Sequence, residues 1–193
     1  LESMLYERVT NYVREEFNRA DALQNEGRRG TVGFALTILQ RRLASSPEAI
    51  YQSIVRRRER LEKRLREEEL LKRGERARLQ DVVQEKTLST DDIEDLEDAT
   101  DAEVEEVEDE IIDKATAAQT TTELKIEIDI LRGLEEMALR VRNSGTDKKW
   151  EELSKLLQDK AEMFDPNGAR RKLIIFTEHR DTLKYLSRRI QTL

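Results

Sequence analysis

The chain has 193 residues, 40% of them charged and 37% hydrophobic, with a formal net charge of -7, two prolines, seven glycines and no cysteine. Such a balance excludes a compact α/β enzyme core and points to long helices with narrow apolar stripes. The lack of cysteine excludes disulfides and thiolate metal sites and makes the cytoplasm the expected setting.

No apolar run approaches the roughly 18–20 residues that a bilayer span requires. The opening LESMLYERV lacks the basic stretch and apolar core of a signal peptide. Charge is unevenly spread: fourteen acidic residues and no basic one lie between Asp91 and Asp113. Setting those aside leaves 28 of the 42 acidic residues against 35 basic ones, so the rest of the chain carries +7. A mildly basic body with one acidic insert suggests a polyanionic partner, although basic helices are commonly just solvated faces.

In chain order, residues 3–25 have helical spacing, with Leu5, Val9, Tyr12, Val13, Phe17 and Ala20 on one face. NEGRRGTVG, with Gly27, Gly30 and Gly33, reads as a turn, because it lacks the Lys-Ser/Thr ending of a phosphate-gripping loop. A helix is expected from about Thr31 to Ala44. Ser46-Pro47 then supplies an N-cap and a first-turn proline for a long arginine-rich helix reaching towards Arg73. Its stripe is Ile50, Ile54, Leu61 and Leu65, interrupted by Arg58, and suits an antiparallel coiled-coil arm.

The acidic insert carries capping patterns rather than disorder signals. Ser89-Thr90-Asp91-Asp92 has the form of a capping box, with Leu88 and Ile93 placed as a hydrophobic staple. Thr100 to Glu103 repeats the pattern, and Ile93, Thr100, Val104, Val107 and Ile111 share a face. Two acidic helices with a break near Asp98 to Thr100 are predicted, docked by opposite charge on the arginine-rich helix. Such an insert would also shield basic surface from nucleic acid.

A third capping box, Thr120 to Glu123, opens a helix with two adjoining stripes: Leu124, Ile128, Leu131 and Ala138, then Ile130, Leu134, Met137 and Val141. That width predicts a central position in the core. NSGTDKKW ends this helix and leads to another through Trp150, Leu153, Leu156, Leu157 and Ala161. The DPNG at 165–168 is a turn. Leu173-Ile174-Ile175-Phe176 then reads as a strand, followed by a helix with Leu183, Tyr185, Leu186 and Ile190 as its apolar positions.

No catalytic set is present. Asp109-Glu110 lies within an acidic helix rather than at the end of a buried strand, so it is not the Asp-Glu pair of a nucleotide hydrolase. His179 is the single histidine and supports neither a zinc site nor a nucleophilic triad; a polar place in the first helical turn suits it. Thr177 stands between strand and helix, where free backbone amides suit a phosphate; a plain threonine N-cap fits as well.

KLIIFTEHRDTLKYLSRRI, residues 172–190, resembles the opening strand and helix of the second RecA-like lobe of Swi/Snf-type superfamily-two helicases, the RapA-like branch especially. Lys172 to Phe176, Thr177, Asp181-Thr182 and Tyr185-Leu186 carry the likeness. LQRRLASSPEAI is similar to a helix-plus-Ser-Pro block between the lobes of those proteins, and SGTDKKWEELSKLL to the lead-in to their second lobe. LYERVTNYVREEF is similar to the helix that follows the first lobe. The acidic insert is the main departure.

The resemblance implies a mainly α fold: an antiparallel helical bundle with long coiled-coil-like helices, ending in one β-strand plus helix from an incomplete α/β lobe. Residues 1–164, with the acidic helical insert at 88–118, would form the inter-lobe region, and 169–193 the start of the second lobe. The parent would be a translocase using ATP and Mg on nucleic acid, with DNA expected, while this piece holds no catalytic, cofactor or metal residue of its own. Thr177, His179 and Arg180 would lie on the nucleic-acid side, although His179 replaces the aromatic residue common there. An orphan strand further implies a homodimer through 172–190. The competing expectation is a non-enzymatic coiled-coil protein that binds a basic partner through its acidic helices.

Overall fold

The structure, a computed structural model, describes residues 1–24, 26–72, 101–145, 147–159 and 161–193. Helices dominate: α1 (Glu2–Asp21), α2 (Glu26–Ser45), α3 (Pro47–Lys72), α4 (Asp101–Lys114), α5 (Thr121–Ser144), α6 (Lys148–Asp159) and α7 (Arg180–Gln191), with a single 3-10 turn at Ala161–Met163. The capping box at Ser89 to Asp92 and the break near Asp98 lie outside the described residues. No described helix is long and apolar enough to cross a membrane.

Helices α3 and α5 pack along one another, and their cross-links give the direction. Glu48 meets Arg142, Arg58 meets Glu135, Glu62 meets Arg132 and Glu69 meets Lys125. Partner numbers fall along α5 as they rise along α3, so the two helices are antiparallel. The exposed ones among such pairs, as at Lys125 and Glu69, contribute about 0–1 kcal/mol each. The holding force comes from Ile50, Ile54 and Leu61 packed with Leu124, Ile128, Leu131, Leu134 and Ala138, all buried. Both expected stripes of α5 therefore face the core, with Ile130 packed at its margin.

Local sequence explains the helix ends. Ser46 Oγ accepts the Ala49 amide at 3.1 Å, capping α3. Thr120 Oγ1 accepts the Glu123 amide at 3.1 Å, while Glu123 reaches back to the Gln119 amide at 2.6 Å, one residue beyond the usual capping-box partner. Gly145, with φ of 71°, ends α5 in the left-handed conformation that glycine adopts without strain. Asp165 accepts the amides of Asn167 and Ala169 and so closes the DPNG turn.

Three expectations change. The glycine-rich stretch is helical: α2 begins at Glu26 and runs through Gly27, Gly30 and Gly33. Helix–helix packing suits glycine at position 33, because a Cβ there would lie 3.3 Å from Phe17 Cε1 and the ring would have to give way by a few tenths of an ångström. On α3 it is Arg57, not Arg58, that enters the apolar stripe, 1% exposed against 17% for the Arg58 side chain. The predicted strand is the third. Leu173 to Phe176 has no ladder partner, and the described residues contain no strand, only an isolated bridge between Phe164 and Arg170. A strand needs a neighbour for its amides and carbonyls, and none is supplied. Leu173, Ile174 and Phe176 are 44%, 76% and 91% exposed.

Arg57 sits in a buried polar knot. Its Nε donates to Tyr12 Oη at 2.8 Å and its Nη2 to Glu127 Oε1 at 2.8 Å, while Tyr12 Oη donates to the same oxygen at 2.9 Å. Thr116 Oγ1 donates to the other Glu127 oxygen. Burial pushes the Tyr12 phenol well above its ordinary value, so it stays a neutral donor. Burial acts to lower Arg57, but Tyr12 and Glu127 outweigh it and keep the guanidinium charged. Nearby, Arg28 donates to the carbonyls of Thr116 and Ala118, satisfying a buried non-helical connector between α4 and α5.

Removing Arg57 or Glu127 leaves the other buried charge without its counter-ion. Arg57→Met is expected to destabilise the fold by about 3–5 kcal/mol in urea unfolding, and Arg57→Met with Glu127→Leu by less than the two single losses combined. Additive losses would show that the pair is not coupled.

Candidate functional site

A cleft of about 500 Å³ opens where α7 meets the α2–α3 junction and the start of α6. Its construction begins with Ser45 and Ser46, at the one-residue break between α2 and α3. Both hydroxyls lie 2.8 Å from Thr182 Oγ1 on α7. Because Ser46 Oγ already accepts the Ala49 amide, its own hydrogen is available to Thr182.

The second fixture is Asp147, 5% exposed just before α6. Its Oδ1 accepts the Trp150 amide at 3.1 Å, and its Oδ2 accepts the Tyr185 hydroxyl at 2.7 Å. Burial, then the bond to Asp147, raises the Tyr185 phenol, which therefore donates as a neutral hydroxyl. Arg189 lies over the Trp150 and Tyr185 rings, 5.4 and 5.1 Å from their centroids. The third is Arg56 on α3, which holds Asp181 at 3.2 Å. Each turn at the start of α7 thus has a named polar anchor on the bundle.

Behind the cleft lies a cluster of arginines. Arg42 Nη1 contacts Asp109 of α4 at 2.6 Å and donates to Ser53 Oγ at 3.0 Å. Arg56 reaches the same Asp109 oxygen at 3.1 Å. Arg41 pairs with Glu108 at 3.3 Å and also with Glu178. The acidic helix therefore docks against arginines of α2 and α3, as opposite charge predicted, with Val107 and Ile111 as its apolar contacts.

The three sequence-predicted residues separate. Thr177 lines the cleft, half-buried, and Arg180 is exposed at the first position of α7. His179 is 2% exposed and turned inward. It, rather than Thr177, is the N-cap residue, and its carbonyl accepts the Leu183 amide at 3.0 Å. Neither ring nitrogen has a hydrogen-bond partner, and burial together with Arg42 and Arg41 lowers its pKa to about 4. Sequence reading missed Ser45, Asp147 and Arg42 as anchors; the Asp-x-Lys pattern at 147–149 was the one visible signal for Asp147.

The cleft holds no nucleophile paired with a base, and among the described residues no group of acids or histidine is arranged to hold a metal ion. It presents hydroxyls, a guanidinium, an ammonium and aromatic rings. No protein family, no curated protein and no solved structure matches this chain.

His179 has a calculable sign. The unfolded imidazole titrates near 6.5 and the folded one near 4, so between those values the unfolded chain binds the extra proton. The stability tied to neutral His179 is full above about pH 6.5, falls as pH drops towards 4 and levels below it. Chemical denaturation across that range should show a steeper loss for the natural chain than for His179→Gln. Parallel curves would mean that His179 titrates normally.

Proposed function

We propose that this chain is the inter-lobe helical region of a Swi/Snf-type, ATP-dependent nucleic-acid translocase, joined to the opening segment of the second motor lobe. Its role in that reading is to brace the lobe by gripping its first helix. One observation carries this. The residues of the Asp-Thr-x-x-Tyr pattern are the ones that seat α7: Asp181 on Arg56, Thr182 on Ser45 and Ser46, Tyr185 on Asp147. The run just before them leaves Leu173, Ile174 and Phe176 exposed with no strand beside it. A helix bolted to the bundle beside an apolar strand segment awaiting a sheet is what a lobe boundary requires.

In this reading ATP and Mg belong to the parent's lobes, and the nucleic acid, DNA, runs past Thr177 and Arg180. The scaffold alternative has less support from α4, since Glu108 and Asp109 already face Arg41, Arg42 and Arg56 rather than an outside basic partner.

The reading frame on either side provides the direct test. A phosphate-gripping loop and Asp-Glu box upstream, with an arginine motif downstream, are expected; start and stop codons close to the segment would overturn the proposal. In the longer protein, Thr182→Ala with Tyr185→Phe should lower nucleic-acid-stimulated ATP turnover severalfold and spare the unstimulated rate. Isolated, the chain should show no turnover.

The homodimer follows from the same exposed run in a narrower form. Thr182 is buried against the bundle, so the pairing surface contracts to Leu173–Phe176. Ile174→Lys with Phe176→Lys should convert a dimer to a monomer in light scattering without loss of helix. A natural chain that is monomeric at high concentration would exclude this pairing.

A further inference from the structure

We propose that Arg41, Arg42 and Arg56 form a phosphate-binding site for single-stranded nucleic acid, and that acidic helix α4 occupies it as an internal mimic which the nucleic acid displaces. The polymer chosen rests on the translocase reading, but the site stands on its own geometry. Two neighbouring carboxylates, Glu108 and Asp109, are held by three guanidinium groups from two helices. Asp109 Oδ1 lies 2.6 Å from Arg42 and 3.1 Å from Arg56, and Glu108 lies 3.3 Å from Arg41 and 3.9 Å from Arg42. Arginine forks converging on adjacent anions are the usual frame for backbone phosphates.

The mimic fits imperfectly. Arg42 is 1% exposed, yet its Nε and Nη2 have no hydrogen-bond partner, and Arg56 Nε is likewise unsatisfied. A buried guanidinium with idle donors is costly, and this one points at the anion. A phosphodiester brings two charged oxygens in a tetrahedral arrangement together with ester oxygens, more acceptor directions than one carboxylate presents. The site is also reachable. Arg41, Arg56 and Asp109 side chains are 45%, 31% and 36% exposed, so a competing anion can enter at the edge before α4 leaves.

Among the described side chains of α4, Val107 and Ile111 join the apolar core. Glu106 and Glu110 place like charges four apart, which opposes this helix away from its cationic dock. A single strand is favoured over an acidic peptide by what adjoins the arginines. Arg41 also lines the cleft of α7, together with the exposed Lys149 and with Phe176, which is 91% exposed. An ammonium suits the next phosphate and an open ring suits a stacked base. An acidic peptide has no use for the ring.

The test uses the intact chain and a short fluorescein-labelled single-stranded oligonucleotide. Anisotropy gives affinity, and hydrogen exchange gives the protection of α4 amides. The oligonucleotide is expected to deprotect residues 101–114 in step with binding. Asp109→Asn should tighten binding about tenfold, a gain that adding Arg56→Gln removes. Binding that leaves α4 protected, or a folded Asp109→Asn chain with unchanged affinity, overturns the proposal. Should Asp109→Asn fail to fold, the exchange titration of the unaltered chain decides alone. Polyglutamate of equal charge deprotecting α4 at the same or lower concentration would identify an acidic protein as the occupant and overturn it too. Missing motor motifs in the flanking frame would remove the translocase reading and leave this result standing. Motor motifs with α4 undisturbed would do the reverse.

Discussion

The bundle depends on one buried ion pair. Arg57 and Glu127 lie 2.8 Å apart with side chains 1% and 0% exposed, and Tyr12 and Thr116 complete their hydrogen bonding. Four parts of the chain therefore meet at one point: α1, α3, the connector after α4, and α5. A hydrophobic contact of equal size would tolerate sliding by a turn. A charge out of water does not, because every displaced register leaves it unpaired. The apolar stripe of α3 is thin, so position along the interface has to come from somewhere else. Glu16 marks the margin of this arrangement, its Oε2 unpartnered and its pKa raised by burial and by Glu127.

A second polar tier lies farther along α3 towards its start. Arg42, Arg56, Asp109, Ser53 and Asp181 join α2, α3, α4 and α7. The two tiers differ in completeness. Around Arg57 both Glu127 oxygens and the Tyr12 phenol have partners, whereas around Arg42 and His179 several buried nitrogens have no hydrogen-bond partner. Satisfied networks make rigid cores, and unsatisfied ones are where rearrangement costs least. The bundle thus has a fixed centre and a more changeable end, and the cleft lies at the changeable end.

How much of this was legible depended on the range of the cause. Ser46-Pro47, Thr120 to Glu123, Gly145 and the DPNG turn act within four residues, and each ends or starts an element as read. The broad apolar face of α5 was equally plain from its spacing. Arg57 was not, since an arginine among arginines on α3 becomes a core residue only through Glu127, seventy positions away in sequence. The close approach that suits glycine at position 33 was hidden for the same reason, since Phe17 lies on another helix. Leu173 to Phe176 has strand composition, but composition cannot create the neighbour that a ladder needs. His179 had a local reading as a polar helix-start residue, and nothing local announced that it would be buried within the field of Arg41 and Arg42.

Asp147 has a consequence of another kind. One carboxylate begins α6 through the Trp150 amide and holds α7 through the Tyr185 hydroxyl. Arg189 of α7 then lies back over Trp150 of α6. Neither helix can melt without taking the other's fixture away, so the two should open as a single cooperative unit, distinct from the centre around Arg57. The two helices then behave as a clasp whose halves share one fixture, placed at a residue that is neither on the clasp's apolar face nor in its middle.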